Sequence, residues 1–188
     1  MARAHVLDSL SAVATLRGRD ITRLLDLGSG AGYPGLPLAV ALPADRTLLV
    51  EPVGKKARFL EAVVAATGLE GRVDVAAARA EALAADPAHR GRWPAVTARA
   101  VASLGDLVEL SFPLLAPGGV LVAWKRGDLV AEVAAAQRAI ETLGGGSITS
   151  VAAGVTGLAG HRLVVIVPRG RAPSGYPRDP AARKRRPW

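Results

Sequence analysis

The sequence predicts an α/β fold: one domain around a seven-stranded, mostly parallel sheet that closes on an antiparallel hairpin. Three observations predict it. From Ile21 onward, short aliphatic runs alternate with amphipathic stretches, the pattern of βα repeats packed on a parallel sheet. The first run leads into a glycine-rich turn, Gly28-Ser-Gly-Ala-Gly32. The last two runs are joined by Gly157-Leu-Ala-Gly160, too short for a helical crossover, so they must pair antiparallel.

Taken in order, residues 1 to 18 read as an amphipathic helix, with Val6, Leu7, Leu10, Val13 and Leu16 near helical spacing and Gly18 as its end. Thr22 to Asp26 is the first strand, and Pro34 to Leu42 the helix after the glycine turn, proline being tolerated in a first turn. Thr47 to Glu51 is the second strand, Lys55 to Thr67 a helix closed at Gly68, and Val73 to Ala77 the third strand. Ala95 to Ala98 is a fourth strand, Leu107 to Leu115 a helix stopped by Pro117-Gly-Gly119, and Val120 to Lys125 a fifth strand. Val130 to Leu143 is helical, and Ser147 to Val155 with Arg162 to Val167 form the final hairpin. This is the outline of the class I, Rossmann-like fold of S-adenosylmethionine-dependent methyltransferases.

The domain is expected over residues 1–168. Beyond Pro168 the chain turns to Arg, Pro and Gly with hardly any aliphatic residues, so 169–188 reads as a basic tail or extended arm. Seven of its residues are cationic against Asp179 alone, which places +6 of the net +8 there. Such a concentration suits a polyanion, although a solvated tail gives the same count; Arg178, Arg183, Lys184, Arg185 and Arg186 are the candidate contacts.

Composition excludes several chemistries. No cysteine is present, which removes disulfides, thiolate nucleophiles and cysteine metal sites. His5, His89 and His161 are far apart in the chain and lack ligand spacing, so structural or surface roles and no metal site are expected. There is neither a signal-peptide core nor an apolar run of the roughly 20 residues a membrane helix needs, so a cytoplasmic address and no membrane partner are expected.

The chemistry is expected where a doubly wound sheet takes its ligand, outside the carboxyl end of the first strand. Glycines there let backbone approach a ligand closely, and Asp26 is placed to accept from a cationic amine. Gly30-Ala-Gly-Tyr-Pro-Gly35 also satisfies the dinucleotide pattern G-x-G-x-x-G. It starts late in the turn, however, and the carboxylate before Gly28 would repel a pyrophosphate. Glu51, at the tip of the second strand, can accept from both hydroxyls of a ribose. Asp26, Gly30 and Glu51 are thus expected at an adenosine-bearing cofactor, and Arg79-Ala-Glu81 lies either at its adenine end or at an exposed helix start.

Asp26-Leu-Gly-Ser-Gly-Ala-Gly-Tyr-Pro-Gly-Leu-Pro-Leu38 goes beyond a general cofactor motif. With Glu51-Pro-Val-Gly-Lys-Lys-Ala-Arg-Phe-Leu60, Arg79-Ala-Glu81, Ala98-Arg-Ala-Val-Ala-Ser-Leu104 and His5-Val-Leu-Asp-Ser-Leu10, it closely resembles the RsmG or GidB family over nearly the whole chain. That family comprises bacterial guanine-N7 methyltransferases of small-subunit ribosomal RNA. The resemblance implies S-adenosylmethionine as cofactor, 16S ribosomal RNA or the small subunit as partner, RNA as the polyanion at the candidate contacts of the basic segment, and cofactor contacts from Gly28, Tyr33, Ala80, Glu81 and Arg99. Arg99 and Lys125 are the candidates for the reacting centre, although Arg126 stands between Lys125 and Gly127 where the family has lysine followed directly by glycine. The family also carries a longer N-terminal helical segment, and this chain begins inside its last part, so that either the segment is absent or the start is assigned late; its loss would affect RNA positioning and stability more than cofactor binding. The competing readings are a methyltransferase of the same fold acting on another RNA or a small molecule, a noncatalytic RNA-binding module, and a nicotinamide-dependent oxidoreductase. The last lacks any Tyr-x-x-x-Lys constellation.

Overall fold

The computed structural model describes residues 2–188. Two short helices, α1 (Ala2–Leu10) and α2 (Val13–Arg17), stand where one was expected; the backbone turns at Ser11 and Ala12. The core continues as β1 (Arg23–Leu27), α3 (Gly35–Ala41), β2 (Arg46–Val50), α4 (Gly54–Ala66), β3 (Val73–Ala76), α5 (Ala80–Ala85), β4 (Trp93–Arg99), α6 (Leu104–Ser111), β5 (Leu115–Arg126) and α7 (Val130–Thr142). β6 (Gly146–Ala152), β7 (His161–Pro168) and α8 (Pro180–Arg185) complete it.

The seven strands are ordered β3-β2-β1-β4-β5-β7-β6. The first five are parallel, and β7 runs antiparallel between β5 and β6. Both faces of the central strands are covered, so their sequences are aliphatic throughout rather than alternating with polar residues. One face sends Leu25, Leu27, Val50, Val96, Leu121 and Ile166 into a core with α5, α6 and α7. The other sends Leu24, Ala95, Val120, Val122 and Trp124 toward α2 and α3, and Leu49 joins Leu60 and Val64 of α4.

Strand boundaries move by one to three residues from the expected ones, the helix expected over Leu107 to Leu115 lies at Leu104–Ser111, and β5 begins earlier, at Leu115. Trp93 faces Leu115 whereas Ala95 faces Val120, so residues 116–119 bulge from the ladder at the Pro-Gly-Gly turn. The larger difference is the basic segment. Residues 169–188 fold back over α6 as a strap, and Ala172, Tyr176 and Trp188 pack against the core. Two aromatic rings supply the apolar surface that a search for aliphatic residues misses.

Candidate functional site

The site is built on the turn after β1. The Gly28 and Ser29 amides donate to the Val50 carbonyl at 2.8 and 3.0 Å, pinning the turn to the tip of β2. Gly28 and Gly30 take φ of 67° and 57°, in the left-handed region that glycine enters without steric cost. Asp26 differs from the amine acceptor expected of it. Its carboxylate is fully buried and turned inward, receiving the Thr97 hydroxyl at 2.7 Å and the Gly35 amide at 3.1 Å. Burial pushes its pKa up to about 6, against the lowering effect of these bonds and of Ser29 and Arg99. It therefore fastens the start of α3 to the sheet. Gly35 is required there, because a Cβ would lie 2.3 Å from a Leu49 methyl and 2.7 Å from Asp26 Oδ2.

Glu51 is 3% exposed and accepts the Gly30 amide on Oε2 and the Val53 amide on Oε1, both at 3.0 Å. A carboxylate oxygen accepts about two hydrogen bonds, so each retains one free acceptor position. That acceptor edge forms part of a cleft of about 350 Å³, whose lining also includes Gly28, Ala80, Glu81 and Arg183. Leu27, Val50, Val101 and Leu110 give the cleft an apolar surface. The combination fits a ligand that joins a planar ring to hydroxyl groups. Of the residues expected at the cofactor, Gly28, Glu51, Ala80 and Glu81 line this cleft; Gly30 lies behind Glu51, while Tyr33 and Arg99 line other cavities.

A second pocket, about 440 Å³, opens at the ends of β4 and β5 and the start of β7. His5, Arg99, Lys125, Arg126 and His161 line it around Asp8, which is 3% exposed. Asp8 accepts from Arg99 at 3.2 Å and from His161 Nδ1 at 3.1 Å, and its carbonyl accepts the Trp124 indole N–H at 2.8 Å. The Arg99 guanidinium also lies 5.3 Å from the Tyr33 ring centre, and the His5 ring 5.4 Å from it. Lys125 donates to the Ala102 carbonyl at 2.9 Å and pairs with Glu132 at 2.6 Å. The two expected reactive-centre candidates thus stand together, and two histidines far apart in sequence share a wall. Ala100 lines both pockets and is the one non-glycine residue with positive φ, 55°, among those described.

The cations expected to meet RNA divide into two groups. Lys184, Arg185 and Arg186 are exposed. Arg178 instead turns inward to Glu109, which is fully buried; its backbone N–H donates at 2.6 Å and its guanidinium at 2.6 to 3.1 Å. The Trp188 indole N–H adds a bond at 2.7 Å to the same carboxylate. Burial alone would raise the Glu109 carboxyl, but the bonds from Arg178 and Trp188 and the Arg178 charge bring it below its ordinary value. Arg183 donates to Glu81 at 2.6 Å. Sequence reasoning missed Asp8, Glu109 and the inward course of Arg178 and Arg183. The available signals were a carboxylate inside the His5-to-Leu10 block and a lone carboxylate between Val108 and Leu110 in an otherwise apolar helix turn.

Among the described residues no helix is long and apolar enough to cross a membrane, and no three His, Asp or Glu side chains are grouped to hold a metal. A family model described as GidB, rRNA small subunit methyltransferase G, matches residues 1–156, which leaves the strap outside the match. A ribosomal RNA small subunit methyltransferase G from Roseiflexus castenholzii is 44% identical over 183 residues, 97% of this chain and 77% of that protein. One from Dehalococcoides mccartyi strain CBDB1 is 41% identical over 176 residues, 93% of this chain and 74% of that protein. In structure, the fold is similar to that of a SAM-dependent O-methyltransferase from Thermotoga maritima, with a TM-score of 0.65, 16% identity, and coverage of 88% of this chain and 66% of that one.

Proposed function

The chain belongs to the GidB family of small-subunit ribosomal RNA methyltransferases, and on that footing we propose that it transfers a methyl group from S-adenosylmethionine to N7 of a guanine in 16S ribosomal RNA. The observation that carries the reading is the pair of cavities meeting at Ala100, one with apolar surface and carboxylate acceptors, the other basic.

In this reading the adenosine end of the cofactor lies in the cleft, against Gly28, Ala80 and Glu81, with its ribose hydroxyls donating to the free acceptor positions of Glu51. Gly30 and Asp26 act behind it by shaping the turn, and Tyr33 and Arg99 form the wall on the side of the second pocket. Bound there, S-adenosylmethionine supplies an electrophilic methyl group. Guanine N7 already carries an available lone pair, so no residue need remove a proton. Arg99 and Lys125 instead hold the nucleotide, and their pairs with Asp8 and Glu132 keep them in place. Orientation of this kind can supply about 7 to 11 kcal/mol of a barrier. The target base must leave its stack to reach the pocket, where His5 offers a ring face.

The exposed Lys184, Arg185 and Arg186 are proposed as phosphate contacts. The substrate, free ribosomal RNA or the assembled small subunit, places the work in the cytoplasm. The test is to incubate the protein with 16S ribosomal RNA, with small subunits and with labelled S-adenosylmethionine, then locate 7-methylguanosine by mass spectrometry of ribonuclease digests. Label at N7 of a single guanine is the expected result. Label on another base or position would replace the N7 assignment, and cofactor binding without transfer to either substrate would favour a noncatalytic RNA-binding module.

A further inference from the structure

The strap is held at two places along its length. At one, Arg178 and Trp188 meet Glu109 of α6, with the guanidinium 4.7 Å from the Trp188 ring centre and the Trp188 Cβ lying where a side chain on Gly105 would have to go. At the other, Arg90 donates to the carbonyls of Pro173 and Tyr176, both at 2.9 Å. Between Arg178 and Trp188 sits α8. Its six residues are too few for an independent helix, but Asp179 caps it by accepting from the Ala181 and Ala182 amides.

This helix delivers one side chain inward. Arg183 is 14% exposed, whereas its neighbours Lys184 and Arg185 are exposed. It reaches Glu81, 102 positions earlier in the chain, and lines the same cleft as Gly28 and Glu51. A surface cation paired for charge alone would lose little by swinging into water. This one is carried by an anchored helix into a cavity wall, and it fixes a carboxylate that lies beside the ligand space.

We propose that Arg183 is a positioning residue of the cofactor cleft: it holds Glu81 and closes the adenosine side, so cofactor affinity depends on the strap. The inference rests on the reading of the cleft as the S-adenosylmethionine site. It gives Arg183 a role other than the RNA contact expected from sequence.

The experiment compares wild type, Arg183→Ala, Arg183→Lys and the triple variant Lys184→Ala, Arg185→Ala, Arg186→Ala. Each is measured for S-adenosylhomocysteine affinity by calorimetry, for Tm, and for RNA affinity across a salt series. Arg183→Ala keeps the Glu109 anchor, so it should fold with a Tm close to wild type while its cofactor Kd rises about tenfold, the scale of one charge-assisted bond. Lysine should restore part of the loss, and the triple variant should leave the cofactor Kd unchanged. An unchanged cofactor Kd in Arg183→Ala, or a loss that lysine does not relieve and that tracks a fall in Tm, would overturn the proposal. Failure of wild type to bind S-adenosylhomocysteine would overturn the cofactor reading and this inference with it.

Discussion

Asp8 and Asp26 are both buried carboxylates, and their partners give them opposite work. Asp26 has only neutral donors, a hydroxyl and an amide, so its charge is poorly compensated and its pKa rises from 3.8 to about 6. A carboxyl whose pKa is higher in the folded state than in the unfolded one is ionised at a cost to folding. That cost is absent below about 3.8, grows as pH rises, and is complete above about 6, amounting to about 3 kcal/mol at about 1.4 kcal/mol per pH unit. Relative to Asp26→Asn, wild type should therefore lose stability between those pH values; denaturant melts at pH 4 and pH 7 check this, and parallel curves would contradict it. Asp8 by contrast faces Arg99 and His161, a cation and a ring N–H. Asp8→Asn removes the charge that restrains Arg99 without emptying the space. Methyl transfer to RNA should fall tenfold or more while the S-adenosylhomocysteine Kd, measured by calorimetry, stays within about twofold, because Asp8 lines only the basic pocket.

At the scale of elements, α6 poses the problem that the strap solves. Seven of its eight residues are buried, and a helix apolar on every side needs cover on every side. Gly105 and Glu109 are four residues apart and share the face that Trp188 and Arg178 cover. Arg178→Ala would leave Glu109 charged and buried without its cation, at a cost of about 3 to 5 kcal/mol, whereas Lys184→Ala should stay within about 0.5 kcal/mol. Chemical denaturation distinguishes them. Because Glu109 has a lowered pKa, its contribution is full above the ordinary 4.5 and disappears as pH falls through the lower folded-state value, so wild type and Arg178→Ala should converge on acidification. The strands, most helices and the final hairpin were legible in the sequence because each is written locally, in runs of aliphatic residues and in turn glycines. The placing of Glu51 at the cleft was legible for the same reason, since it immediately follows a strand, whereas Ala80 and Glu81 were singled out through the family resemblance. The course of the strap was not, because its anchors are single pairs, 109 with 178 and 81 with 183, whose meeting depends on packing between distant segments.

Across the whole molecule, the net charge of +8 overstates what is free to meet a polyanion. Arg178 and Arg183 are spent on carboxylates, leaving Arg169 and Arg171 exposed at the start of the strap and Lys184, Arg185 and Arg186 together near its end. If these three each neutralise one phosphate, their joint replacement by alanine should reduce the slope of log affinity against log salt by about 2, at about 0.7 per contact on single strands. Filter binding over a range of salt concentrations checks it, and an undiminished slope would exclude the three as phosphate contacts. The seam between the cavities has a different consequence. Ala100 is the single lining residue in common, and the Lys125 bond to the Ala102 carbonyl is a direct link between the two linings, so alterations in the second pocket away from Lys125 should not be felt in the first. Combining Arg183→Ala with His161→Ala, which touches no residue of the cofactor cleft, should then give penalties in transfer rate that multiply without interaction, a double-mutant cycle that closes within about 0.5 kcal/mol. The protein is thereby separable: its choice of RNA could be redesigned around Arg126 and His161 while its hold on the methyl donor is left intact.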